Sequence, residues 1–209
     1  MEREILIDIL KETCRRLAAN SNRCGKLIYP QEEDGTSRIR EPEARYVLAK
    51  VLEEKGHNFM FEAPTKNDYS FTGKGARSAM TDIEIDPFQN GTLNIELKEG
   101  QRETIKKDLK KLREESVTGC AIFHILNRWD SGTPKSLLKK YKSALNVLLD
   151  DKGSKNPLVS KWIVLFVLVK PTRLCLWRAF SDIAKVNPNK LDIEKFEELK
   201  LVPGEENSP

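Results

Sequence analysis

Leu6, Leu10, Cys14 and Leu17 recur at helical spacing with charges between them, which predicts a helix over residues 3–19. Residues 20–40 are polar, carry Gly25, Pro30 and Gly35, and read as a long loop or linker. A second stripe, Ala44, Val47, Leu48, Val51 and Leu52, predicts a helix over 41–55, with Pro42 in its first turn and Gly56 as its stop. Residues 57–63 read as a strand and 64–77 as a polar, glycine-containing loop. Alternation then predicts strands over 79–86 and 93–98 around Gln89-Asn90-Gly91. Ile105, Leu109 and Leu112 mark one face of a basic helix over 101–115. Residues 119–126 are apolar almost throughout, as in a buried central strand. Leu137, Leu138, Tyr141, Ala144, Leu145 and Leu148 predict a helix over 134–149. Strands over 162–169 and 173–180, joined by Lys170-Pro171-Thr172, and a short helix over 191–199 complete the pattern. The tail from 203 has the polar composition of a disordered end.

This order predicts an α/β fold: a mixed β-sheet flanked by helices. A chain of 209 residues suits a single core. The expectation is one domain, 1–209, with an N-terminal helix and loop (1–40), a central block (41–126), a C-terminal elaboration (127–202) and the tail (203–209). No run approaches the roughly 18 apolar residues of a membrane span, and the N-terminus lacks the basic-then-apolar pattern of a secretory signal. No membrane partner is expected. The four cysteines lack CxxC spacing, and with no signal the reducing cytoplasm is the expected location.

Charge sharpens the picture. Residues 98–113 hold seven cations and three acids, and residues 127–161 hold eight and three, whereas the stretch from 187 onward is acidic, three against six. Positive charge concentrated in the second half suits a polyanionic ligand; solvated helix faces would look the same. Only His57 and His124 are available for zinc or Ser-His chemistry, and His124 lies in an apolar strand where a satisfied structural role is expected.

The residues from Asp82 to Lys98 carry the candidate chemistry. Strand side chains alternate faces, so Ile83, Ile85, Leu93, Ile95 and Leu97 form one set and Asp82, Glu84, Asp86, Asn94, Glu96 and Lys98 the other. A two-residue loop would split both sets across the faces. A three-residue loop, Gln89-Asn90-Gly91, keeps one face apolar, and pairs Asp82 with Lys98, Glu84 with Glu96 and Asp86 with Asn94. Acids then crowd one another, a repulsion that a hard, oxygen-seeking divalent cation would relieve. With a lysine beside them to position water and offset charge on phosphate, two carboxylates and a metal make a phosphodiester-hydrolysing site. The competing reading is the solvated face of an amphipathic hairpin.

The pattern resembles the PD-(D/E)XK nuclease superfamily, the restriction-endonuclease-like nucleases. The match is Asp82 on one strand, a hairpin, then Glu96-Leu97-Lys98 as the E-x-K element, within helix, three strands, helix, strand over 41–126. Thr81 stands where the motif name has proline. The resemblance implies an endonuclease that needs Mg²⁺ or Mn²⁺ and acts on nucleic acid, expected to be DNA. It implies Asp82, Glu96 and the Leu97 carbonyl as metal ligands and Lys98 as the residue assisting water. Glu43, or less favoured Glu41, would be the acid from the first core helix. Glu84 and Asp86 compete with Asp82 for its role. Gln101, Lys106, Lys107 and Lys110 are expected to contact nucleic acid, and residues 72–78 to form a loop touching it. A homodimer would let one site cut each strand, though no interface is legible. The alternatives are a non-catalytic nucleic-acid-binding module on the same fold and an interaction protein with a charged surface hairpin. The GxxxxGK[ST] phosphate loop and the GxSxG elbow are absent.

Overall fold

The computed structural model describes residues 1–20, 22–71, 74–87, 93–100, 105–116, 118–150, 161–182 and 185–201. Helix α1 (Arg3–Ala18) buries the predicted stripe of Leu6, Leu10, Cys14 and Leu17 and packs on α2 (Glu41–Glu54), which buries Ala44, Val47, Leu48, Val51 and Leu52. The segment between them is docked rather than a free linker. It forms a small hairpin, β1 (Arg23–Cys24) and β2 (Leu27–Ile28), turning at Gly25 with φ +54°. Buried Tyr29 donates its hydroxyl to the Leu17 carbonyl at 2.7 Å. Asn127 and the Ile39 backbone exchange two hydrogen bonds of 2.8 Å.

The main sheet has seven strands in the order β3 (Phe59–Phe71), β4 (Lys74–Ile85), β5 (Leu93–Glu99), β6 (Gly119–Leu126), β7 (Trp162–Val169), β8 (Leu174–Phe180) and β9 (Glu197–Lys200). β5, β6 and β7 run parallel and the other neighbours are antiparallel. Helices α3 (Ile105–Glu115) and α4 (Thr133–Asp150) provide the two crossovers and cover one face; α1 and α2 cover the other. The expected mixed sheet flanked by helices is therefore present. β6 is buried along its whole length, as its apolar run requires. Among the described residues, no helix is long and apolar enough to cross a membrane.

Three expectations need correction. Residues 64–77 are not a loop: Pro64–Phe71 extend β3 and Lys74–Ser78 extend β4, while Thr72 and Gly73 lie outside the described residues. The polar composition hid the strand because backbone pairing carries it. Glu115 on α3 adds two anchors by accepting from the Lys66 and Asn67 amides at 2.7 and 3.1 Å, and Pro64 is tolerated on an edge strand. The helix expected over 191–199 is replaced by two 3₁₀ turns, Pro188–Lys190 and Ile193–Lys195, followed by β9. Asn187 and Asp192 cap those turns by accepting from Asn189 and Glu194 amides, and β9 then satisfies the edge of β8.

The third correction is the β4–β5 register. Ile83 pairs with Ile95, Glu84 with Asn94 and Ile85 with Leu93, two residues away from the expected alignment. Asp86 takes a left-handed φ of 51°, accepts from the Asn58 amide at 3.2 Å and lies 3.4 Å from His57. Pro87 has no amide to extend the ladder. β4 thus ends early, and the expected Gln89-Asn90-Gly91 turn lies outside the described residues. A shift of two preserves side-chain parity, so Ile83, Ile85, Leu93, Ile95 and Leu97 still share one buried face.

At the start of β6, Gly119 lies beside Trp162. A β-carbon there would sit 2.3 Å from Cδ2 and Cε2 of the indole. Gly119→Ala should lower stability by about 1–3 kcal/mol through overpacking, outweighing the chain-entropy gain of about 0.4–1 kcal/mol. Urea unfolding checks this, and an unchanged midpoint would show that the ring moves aside freely.

Candidate active site

Parity and register set the site. Glu96 and Lys98 lie beside Ile122 and His124 of β6, so their side chains point toward α3 and α4. Glu96 is 1% exposed and Asn94 3%. This face is packed beneath α3, which removes the solvated-hairpin reading at Glu96.

Asp82 ends the β4 side of the pairing. Its Oδ2 accepts from the Leu97 amide at 2.8 Å, and its Oδ1 lies 3.6 Å from Arg45 of α2. The Asp82 side chain therefore takes an amide of the E-x-K tripeptide itself, which ties the two strands together at the point where the acids meet. Glu84 is half-buried opposite Asn94, and Asp86 is engaged with Asn58 and His57.

Helix α3 brings two residues that sequence reasoning missed. Lys111 Nζ lies 2.7 Å from Glu96 Oε1 and donates to the Met80 carbonyl at 2.6 Å. Asp108 lies 3.1 Å from Lys98 Nζ and 4.0 Å from Lys111 Nζ, while Lys98 is 3.9 Å from Glu96. The available signal was an acid on the buried stripe of a basic helix, since Asp108 falls between Ile105, Leu109 and Leu112 at core spacing.

Of the two acids in the first turn of α2, Glu41 rather than the expected Glu43 reaches the end of β5. Glu41 accepts from the Glu99 amide at 3.2 Å, whereas Glu43 accepts from the Arg40 amide at 2.8 Å and closes the start of α2. Burial, with Asp82 adding to it, raises the Glu41 pKa against the opposing pull of Lys98. Lys106, Lys107 and Lys110 are exposed on α3, and Gln101 lies outside the described residues. His124 has the structural role expected of it. Its pKa is pushed down to about 4 by burial, Nε2 bonds to the Gly100 carbonyl and Nδ1 is 3.2 Å from the Tyr141 hydroxyl. A neutral ring protonated on Nε2 satisfies both contacts.

Burial, then Asp82, pushes the Glu96 pKa up to about 8, against the opposing effect of Lys111. Burial also raises Asp108, against Lys98 and Lys111. For Lys98, burial disfavours the charge, but Asp108, Glu96 and Asp82 outweigh it and hold the ammonium above its ordinary range. Lys98 is therefore a fixed cation at neutral pH.

The donor chemistry fits a hard divalent cation. Glu96 Oε1 is buried and accepts no aligned hydrogen bond despite its contact with Lys111. The Asp82 and Glu96 carboxylates, with the Leu97 carbonyl, form an oxygen-only set. Among the described residues no three His, Cys, Asp or Glu side chains form a ready metal cage. Mg²⁺ commonly uses one or two carboxylates and keeps several waters, so two acids are sufficient donors.

Compared with protein-family models, curated proteins and solved structures, the chain matches none.

Because Glu96 binds its proton more tightly folded than unfolded, its contribution makes stability fall as pH rises from about 4.5 through about 8. Glu96→Gln should flatten that dependence, so that the variant's stability falls less than that of wild type between about pH 4.5 and about 8. Urea midpoints at acid and alkaline pH measure it; parallel curves for the two proteins would mean that Glu96 is already ionised at little cost.

Proposed function

We propose that the protein is a metal-dependent endonuclease that hydrolyses phosphodiester bonds, with DNA as the substrate class. The observation that carries this reading is the convergence of half-buried Asp82 and Lys98 on buried Glu96 across adjacent strands, with Asp82 bonded to the Leu97 amide within the E-x-K element. The order α2, β3, β4, β5, α3, β6 supports a restriction-endonuclease-like core over 41–126.

In this reading Asp82, Glu96 and the Leu97 carbonyl would hold Mg²⁺ or Mn²⁺. The bound ion supplies Lewis-acid charge to phosphoryl oxygen and lowers the pKa of water. The chain's own residues do the rest. Asp108 holds Lys98 in place, and Lys98, kept charged, donates to the phosphate and offsets developing negative charge. Asp82 fixes the backbone at Leu97, which orients the carbonyl and the flanking Glu96 and Lys98. Glu41 braces the end of β5 through the Glu99 amide.

One observation favours the second reading, a non-catalytic nucleic-acid-binding module. Lys111 already neutralises Glu96, so the carboxylate has a cation without any metal. Digestion of DNA and RNA with Mg²⁺ or Mn²⁺, and with EDTA, separates the two. Metal-dependent cutting that falls by about a hundredfold or more in Lys98→Ala supports the nuclease. Absence of cutting by wild type, with nucleic acid still bound, supports the module.

A further inference from the structure

A second feature lies one strand away from the acids. Between α3 and α4 runs an open cleft of about 460 Å³, lined by Lys106, Lys139, Lys140, Ser136 and Ser143 over Ile105. Among the described residues, no acidic side chain lines it. Several other cations face acids: Lys98 faces Asp108, Lys111 faces Glu96, Arg38 faces Glu99, and Arg16 faces Glu54. Among the described residues, Lys106, Lys139 and Lys140 form no ion pair within 4.0 Å. Gathering three ammoniums in one cleft costs free energy that an anionic ligand would recover.

One cleft lysine, Lys140, approaches the site through His124. Lys98 and His124 are register neighbours on parallel strands, which lie about 4.8 Å apart. The His124 ring contacts Tyr141 of α4 and the Gly100 carbonyl, and both Lys98 and Lys140 act on it electrostatically. Lys98 and Lys140 therefore flank one buried, neutral histidine. Cations with serine hydroxyls between them suit phosphate oxygens, and such contacts position a strand without reading its bases.

We propose that the α3–α4 cleft binds the phosphodiester backbone of a nucleic-acid strand and leads it to Lys98, with Lys106, Lys139 and Lys140 as the phosphate contacts. This goes beyond the α3 residues expected from sequence by placing two of the three lysines on α4, and its direction toward Lys98 rests on the nuclease reading. Binding itself does not.

The test is fluorescence anisotropy of labelled single-stranded and duplex DNA in EDTA, over a salt series, with the full chain. Lys106→Ala, Lys139→Ala and Lys140→Ala are combined, and the same three positions are changed to Arg in a second protein. A third protein loses equal charge at exposed Lys26, Lys55 and Lys190. Thermal melts establish that each is folded. The expected result is at least tenfold weaker binding for the cleft alanine variant, with the slope of log affinity against log salt reduced by about 2–3. The arginine variant should bind within about threefold of wild type, since charge is retained. Equal weakening by the cleft and control variants would overturn the cleft as the site. So would binding of wild type to phosphatidylserine vesicles but to no nucleic acid. Cleavage is assayed in parallel: cutting by wild type with unaffected binding in the cleft variant rejects the cleft alone. Loss of binding in that variant, with no cutting by wild type, rejects the nuclease reading alone.

Discussion

The buried carboxylate of Glu96 constrains more of this molecule than any other group. Leaving such a charge unpaired in the interior costs several kcal/mol, and β5 is buried from Leu93 through Leu97. The compensation comes from α3, whose Lys111 reaches both Glu96 and the Met80 carbonyl, and whose Asp108 holds Lys98. This fixes how α3 lies on the sheet. Its apolar residues Ile105, Leu109 and Leu112 meet β6 and α4 while its charged pair meets β5. Packing and electrostatics set the same helix rotation, as a sequence specifying one structure requires.

Legibility followed the range of the interactions that decide each feature. α1, α2, β6, α4, β7 and β8 were readable from local periodicity because each buries a continuous stripe or run. The faces of the β4–β5 pair were readable for a subtler reason. The register was expected two residues away from where Ile83 and Ile95 place it, but parity decides the face and survived the shift. What failed was decided by distant partners. The polar extension of β3 and β4 is stabilised by Glu115 of α3, and β9 exists because β8 offers an edge. Asp86 leaves the strand because Asn58 and His57 claim its carboxylate.

The site divides in the same way. Asp82, Glu96 and Lys98 were legible as a strand pattern. Asp108 and Lys111 were not, because nothing local says against which strand a basic helix docks. Glu41 and Glu43 illustrate the limit: two positions apart on a helix means about 200° of rotation, so only one can face β5. The choice belongs to the packing of α2, which turns Glu41 to the Glu99 amide and leaves Glu43 to close the helix start.

The topology also explains why acids and unpaired lysines end up as neighbours without neutralising one another. Three parallel strands place the ends of β5, β6 and β7 at one edge, where open α/β sheets commonly bind ligands. α3 and α4 each start from that edge, so their positive dipole ends add to the lysine charge there. The acids lie toward β4, beneath Lys111, and the cleft lysines lie beyond His124. A buried histidine held neutral carries no charge of its own to bridge the two groups. A polyanion at this edge would meet cations first on the α4 side, and meet carboxylates only where Lys98 and Lys111 already balance them. That charge order favours a ligand that enters by its phosphates and reaches the acids last.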